Sequence, residues 1–510
     1  MAVTAPQAPG LTRQEPRRRP PVLLGALFGL GLLLLGTAWT LSLPFDGSAD
    51  EQAHLIKALA VGGGDAAGTG FRPLPARAPA QARFIRSTSR LFHVPVELNP
   101  RANTGCFILK PRRPASCLRP VTGTGSRTAV SYVGVYPPLA YVAPGLATRL
   151  FNSPAPALIA ARLANGVTCG VLWVIAAAAF LATRARRGWL LTGLLLSVTP
   201  AAVALAWSVN PNGPEAAAGA AFVALALAAT RPSAPRWTWW LMAPVGFFLA
   251  SSRPASPAWV AFGFAVPVLL RGRPALAAAR QGGRAATAGI GAGVLGAVLT
   301  GVWNLAIGAS PASGHRDWVA LAGATLREFQ GLQAGAISQV DWGETGLSNH
   351  LYRPWELMVA LLLVAGVLAG SRRHRVGLLG VAGAYLLACF GIVALMSATG
   401  YPPGGRFLMA PAVTLPLAAA EVCQERIARL GTVALVAGVA VAGATQLAVL
   451  YESARRYAVG SNGRWDFLWS GTSWQALGGW PLAAALGLAG AVLLAALVLA
   501  DHRAPARRAA

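Results

Sequence analysis

An all-α polytopic membrane protein is the fold class this chain predicts, and three features predict it. Hydrophobic residues make up 55% of its 510 positions and charged residues only 12%, too few charges to cover a soluble protein of this length. The apolar residues fall in repeated runs of roughly 20, the helical thickness of a bilayer. Short arginine clusters recur between alternate runs, as they do in loops held on the cytoplasmic side. One transmembrane domain over 21–500 is expected, flanked by a basic tail at 1–20 and a second tail at 501–510.

The first run, 21–43, follows Arg13, Arg17, Arg18 and Arg19. It is too long for a signal-peptide core and lacks a clear small-residue cleavage site, so it reads as a retained span. Further runs lie near 155–183, 189–208, 214–230, 237–251, 256–270, 286–307, 355–370, 376–397, 407–420, 430–450 and 478–500. The count is about 12 transmembrane helices, with 237–270 either two spans or a re-entrant hairpin.

The arginines orient this map. Arg184, Arg186 and Arg187 share one loop, as do Arg231 and Arg236, then Arg271, Arg273, Arg280 and Arg284, then Arg372, Arg373 and Arg375. All fall on the side of the N-terminus, with Arg503, Arg507 and Arg508, which predicts a multi-pass protein of the cytoplasmic membrane with both termini cytoplasmic. Three segments then lie outside: a long first extracytoplasmic loop, 44–154, and 308–354 and 451–477. The first is rich in Pro and Arg, and irregular structure with a few short surface helices is expected there. Much of the net charge of +26 then faces anionic membrane lipids. Nucleic acid is not an expected partner, because the basic residues flank spans.

The five cysteines divide by compartment. Cys106 and Cys117 share the first outer loop, where oxidation is allowed, and a disulfide between them is expected. Cys169 and Cys389 fall in spans and Cys423 near the inner face. The sequence contains no paired zinc spacing, phosphate-binding loop, dinucleotide fingerprint or nucleophile elbow. ATP-driven transport by this chain alone therefore has no support in its sequence.

Asp50 and Glu51 stand side by side just after the first span, in a chain with only 17 acidic residues. Ionisable groups beside hydrocarbon are expensive and usually functional, which makes the pair a candidate for general-base catalysis. The bland reading is a capping box, with Ser48 at the N-cap and Glu51 at N3 of a helix running through Ile56–Ala60. His54 lies one turn beyond Asp50 on the same face. The two either bind a divalent metal or orient an acceptor hydroxyl.

Four later features lie near the same side. Tyr136-Pro137-Pro138 and Tyr141 form either a packing corner or an aromatic wall for a sugar. Arg162 and Asn165 lie inside the second span; an intramembrane arginine is a functional candidate by default, with a structural ion pair as the alternative. Asn210-Pro211-Asn212-Gly213-Pro214-Glu215 is a tight connection with Pro214 placed to begin a helix. Gly404-Gly405-Arg406-Phe407 opens onto a late span, where free N–H groups and a guanidinium fork suit a phosphate.

The order of these motifs carries a resemblance. Pro44, Asp46, Asp50, Glu51 and His54 are followed by Tyr136-Pro137-Pro138, then Arg162 and Asn165, then Asn210-Pro211-Asn212-Gly213, then Gly405-Arg406-Phe407-Leu408. Over roughly 25–420 the chain resembles an uncharacterised actinobacterial family of polytopic membrane proteins (domain of unknown function 2142), which is itself similar to the GT-C glycosyltransferase superfamily. Phe407 replaces the aromatic hydroxyl usual in the late motif.

The resemblance implies a GT-C-like fold and an inverting transfer of sugar from a polyprenyl-phosphate donor to an envelope glycan or lipid acceptor. It assigns catalysis to Asp50 and Glu51. Substrate contacts fall to His54, Tyr136, Arg162, Asn165 and Arg406, with Arg162 and Arg406 holding the donor phosphate. No cofactor is required, though a divalent metal is compatible. The competing expectations are a transporter or flippase of lipid-linked saccharides and a non-catalytic envelope scaffold.

Overall fold

The computed structural model describes residues 21–95, 105–119, 125–183, 188–232, 234–308, 317–345, 348–427 and 431–503. The basic tail 1–20, the loop arginines Arg184, Arg186 and Arg187, and residues 504–510 lie outside the described residues. Helix α1 (Pro21–Ser42) leads into a segment bearing α2 (Glu51–Gly62), α3 (Ala80–Thr88) and α4 (Leu139–Thr148). That segment also carries an antiparallel sheet of β1 (Thr69–Gly70), β2 (Arg90–Pro95) and β3 (Ser126–Ser131), in the order β1-β2-β3. The first half of the bundle continues with α5 (Pro154–Thr183), α6 (Gly188–Ser197), α7 (Pro200–Ala206), α8 (Asn212–Ala229), α9 (Trp237–Ala250), α10 (Ser256–Arg271), α11 (Arg273–Gln281) and α12 (Gly283–Ala306). The second half comprises α13 (Trp318–Ile337), α14 (Ser348–Ala369), α15 (Arg372–Thr399), α16 (Met409–Ala412), α17 (Thr414–Arg426), α18 (Thr432–Val459) and α19 (Trp480–Arg503).

A helix stands at each of the twelve expected segments, but the expected count of spans is not reached. Among the described residues, eight helices are long and apolar enough to cross a membrane, or up to ten if each of two bent pairs is one span. One bend, of 62°, separates α6 from α7, where Pro200 cannot continue the preceding helix and Thr199 caps the next by accepting from the Ala202 N–H. The other, of 117°, separates α10 from α11 at Gly272, whose φ is 56°. Helix α9 has 14 residues, about 21 Å at 1.5 Å per residue and short of a bilayer core of roughly 30 Å.

Helix α8 is the axis of the bundle. All 18 of its residues are buried, and it packs on α5, α9, α10 and α7. Its alanine-rich sequence explains this position, since small side chains let helix backbones approach closely from every side. The α9–α12 pair uses the same device. A Cβ on Gly289 would lie 2.7 Å from the Trp239 carbonyl oxygen, so only glycine permits that approach.

The 44–154 segment is more ordered than expected. In β2, Phe92 and Val94 alternate with less buried neighbours and pack with Ala129 of β3 against Leu55, Ile56 and Leu59 of α2. The sheet thus clamps α2 onto the end of the bundle. Cys106 and Cys117 are joined by a disulfide in this segment. Arg456 of α18 holds the same loop by donating to the carbonyls of Phe107 and Arg113, both at 2.8 Å.

Candidate functional site

The connector between α1 and α2 sets the geometry of the mouth. The Gly47 N–H closes a turn onto the Pro44 carbonyl. Asp46 and Asp50 then adopt left-handed backbone angles, with φ of 61° and 62°. Aspartate is one of the few residues that tolerate this conformation, and such strain concentrates at functional sites. The expected capping box does not form. Asp50 is the N-cap and makes no side-chain cap bond. Asp46 Oδ1 accepts from the Gln52 N–H at 3.1 Å instead, and the Ser48 hydroxyl pairs with that of Ser208 at 2.9 Å.

This turn sends the two adjacent acids in opposite directions. Glu51 points into the bundle, where Arg162 donates to it from Nε at 2.7 Å and from Nη2 at 2.5 Å. The remaining Arg162 N–H groups reach the carbonyls of Thr40, Leu43 and Pro44. All five guanidinium donors are thereby used, and both side chains are 1% exposed. Glu51 Oε1 also accepts from the Val209 N–H at 3.1 Å. Arg162 was expected at a donor phosphate and Glu51 in catalysis; the structure turns the two toward each other inside the bundle, and neither lines the cleft described below. Asn165 is likewise internal, donating to the carbonyls of Ala206 and Ser208. Asn210 steadies the acidic turn by donating to the Ala49 carbonyl at 2.9 Å.

Asp50 faces the mouth. Its Oδ1 accepts from the Tyr132 hydroxyl at 2.6 Å, and its Oδ2 accepts from Arg406 Nη2 at 2.5 Å. Asp50 is 16% exposed and Arg406 28%. Burial alone would raise the Asp50 carboxyl; Arg406, with His54, Tyr132 and Arg253, overcomes it and holds the group below the ordinary carboxylate range. Arg406 reaches this position because Gly405 seats against α13, where a Cβ would lie 1.9 Å from the Leu332 carbonyl oxygen.

An aromatic and cationic wall continues from Asp50. The His54 imidazole Nδ1 pairs with the Tyr141 hydroxyl at 2.8 Å and its ring stacks on Tyr141. Burial, reinforced by Arg406 and Arg253 against the pull of Asp50, lowers its pKa to about 3, so the ring is neutral. Tyr136 lies 6.0 Å from His54, and Arg253 sits over both Tyr136 and Phe407. Arg253 is paired with Glu215 at 2.8 Å. Its one sequence signal was its place in the connector of the short pair 237–270, opposite the arginine clusters. Among the described residues, no group of three or more His, Cys, Asp or Glu side chains gathers to hold a metal ion, so Asp50 and His54 gain no third ligand.

Beside Arg406 opens a narrow cleft of about 80 Å³, bounded by Ser48, Ala49, Gln339, Asp341, Trp342 and Arg406. Asp341 also has a left-handed backbone, with φ of 57°. Its Oδ1 accepts from the Ser453 hydroxyl at 2.8 Å, while its buried Oδ2 makes no hydrogen bond. Trp342 donates from Nε1 to the Asp46 carbonyl at 3.3 Å, tying this loop to the acidic turn. The other face of α13 lines a half-open apolar cavity of about 220 Å³ with Phe329, Gln333 and Ile337, bounded by Trp355, Leu363 and Leu386. Gln333 and Gly335 are two residues apart, about 200° around the helix, so one helix separates the polar cleft from the apolar cavity.

The fold and this mouth together define a polytopic helical membrane protein with a charged cleft at one end of its bundle. Over residues 33–415 the chain matches the family described as "Predicted membrane protein (DUF2142)", and it belongs to that family. No curated protein and no solved structure matches it.

Proposed function

We propose that the protein moves a sugar from a polyprenyl-phosphate donor to an envelope glycan or lipid acceptor, on the outer face of the cytoplasmic membrane. The observation that carries this reading is the Asp50–Arg406 pair, at 2.5 Å, whose arginine lines a polar cleft backed across one helix by an apolar cavity. A lipid phosphate is amphipathic in the same sense. Its chain suits the apolar cavity, and its charged head suits Arg406. The mouth lies outside if the arginine clusters mark the cytoplasmic side and both termini face inward.

The chemistry asks for two things. A leaving phosphate needs fixed positive charge where negative charge develops, and Arg406 supplies it from the N–H groups that Asp50 does not hold. The acceptor hydroxyl needs a base, and an acidic residue of the mouth supplies it. Direct displacement at the anomeric carbon inverts its configuration. Nothing in the reaction requires a nucleotide or a metal.

The test is transfer from a polyprenyl phosphate carrying a radiolabelled hexose, in vesicles containing the full chain. Arg406→Ala should raise the donor KM at least tenfold, because a phosphate contact serves ground state and transition state alike. Asp50→Asn should lower kcat while the donor is still bound. A wild-type preparation that translocates a lipid-linked saccharide without transferring sugar would replace this reading with that of a transporter.

A further inference from the structure

The mouth holds a second carboxyl whose setting is the reverse of Asp50. Both Asp50 oxygens are engaged, by Tyr132 and Arg406, and a carboxylate locked to a guanidinium is a weak proton acceptor. Asp341 lies on the same cleft as Arg406. It is 7% exposed, has no guanidinium bonded to it, and keeps Oδ2 without a hydrogen bond.

We propose that Asp341 receives the acceptor's proton, leaving Asp50 as the counter-ion that presents Arg406. This rests on the transfer reading above. The acceptor oxygen forms its bond to the anomeric carbon as its proton passes to Asp341 Oδ2. The bond from that carbon to the phosphate oxygen breaks, and its electron pair leaves on the phosphate at Arg406. Asp341 then returns the proton to water. A base works best when its pKa lies near the working pH. Burial pushes Asp341 up to about 7, helped by Glu344 and opposed by the Ser453 hydrogen bond, Arg456 and Tyr457. Arg406 lines the same cleft, Glu344 and Arg456 are paired with one another, and the Tyr457 hydroxyl donates to the Gly47 carbonyl and also interacts with Asp341.

The experiment is the pH profile of sugar transfer in the same vesicles. Wild type should give a rising limb with a midpoint near pH 7. Asp341→Asn should lower the rate by about 10²–10⁴-fold and abolish that limb, with the donor KM unchanged; Asp341→Glu should restore part of both. Ser453→Ala removes the hydrogen bond that lowers the carboxyl, so the limb should move to higher pH, and this variant serves if Asp341→Asn does not fold. A full rate and an intact limb in Asp341→Asn overturn the proposal. So does a limb that persists there and vanishes in Asp50→Asn, or one that Ser453→Ala does not move. If wild type transfers no sugar at any pH, the transfer reading itself fails and takes this proposal with it.

Discussion

Arg162 of α5 and Glu51 of α2 are bound to each other by a two-pronged fork, 111 positions apart in sequence and 1% exposed. Three backbone carbonyls occupy the rest of the guanidinium. The pair pins the turn before α2 to the second long span, and so fixes where Asp50 points.

Removing one partner of such a pair leaves a buried charge unanswered, at about 3–5 kcal/mol. Arg162→Leu and Glu51→Gln should each destabilise the protein by that order. Arg162→Lys should do so as well, because an ammonium cannot reproduce the fork. Thermal melting in detergent checks this. Stable, well-expressed variants with raised donor KM would instead restore Arg162 to the phosphate site.

His54 makes stability fall with acid. Its folded pKa of about 3 lies below its ordinary 6.5, so the folded state resists protonation. The contribution is fully present above pH 6.5 and is lost as pH falls toward 3, by about 2–3 kcal/mol at pH 4.5. Melting temperatures between pH 7 and pH 4.5 should therefore fall in wild type and fall less in His54→Gln. Parallel curves would mean that His54 is not the group responsible.

Asp341 works in the opposite direction. Its folded pKa of about 7 exceeds its ordinary 3.8, so its contribution is fully present below pH 3.8 and is lost as pH rises to about 7. Asp341→Asn removes the penalty of burying the charged form. It should melt higher than wild type at pH 8, by about 2 °C or more, with the advantage gone near pH 4. A group that harms the fold at neutral pH fits a residue kept for function.

The Cys106–Cys117 disulfide closes a loop with a sequence separation of 11, which is worth roughly 3 kcal/mol in the chain-entropy model. Reduction, or Cys106→Ser, should lower the melting temperature, and mass spectrometry of the unreduced protein should find the linked peptides. Two free thiols in protein kept from reductant would count against the bond.

The helices were legible because a bilayer-length apolar run is a signal carried within one segment. Asp50 and Arg406 were legible for a similar reason: one is a rare acid beside a span, the other a guanidinium on a Gly-Gly turn. The fates of Glu51 and Arg162 were not. The local pattern from Ser48 to Glu51 reads as a cap, but a distant guanidinium outcompeted the backbone for the carboxylate. Asp341 gave no signal, because its setting depends on Ser453, 112 positions later. The small sheet was missed because the alternation of Phe92 and Val94 is brief and is blurred by apolar Leu91 and Pro95 beside it.

Helix α8 has a further consequence. It is buried on every side and riveted at both ends by buried ion pairs, Glu215 with Arg253 at its start and Arg231 with Glu421 just past its finish. A carrier that opens first to one side and then to the other needs a plane along which its halves can slide. Any such plane that cut across this helix would have to break one of these ion pairs, so α8 and the segments its two rivets join move as one unit.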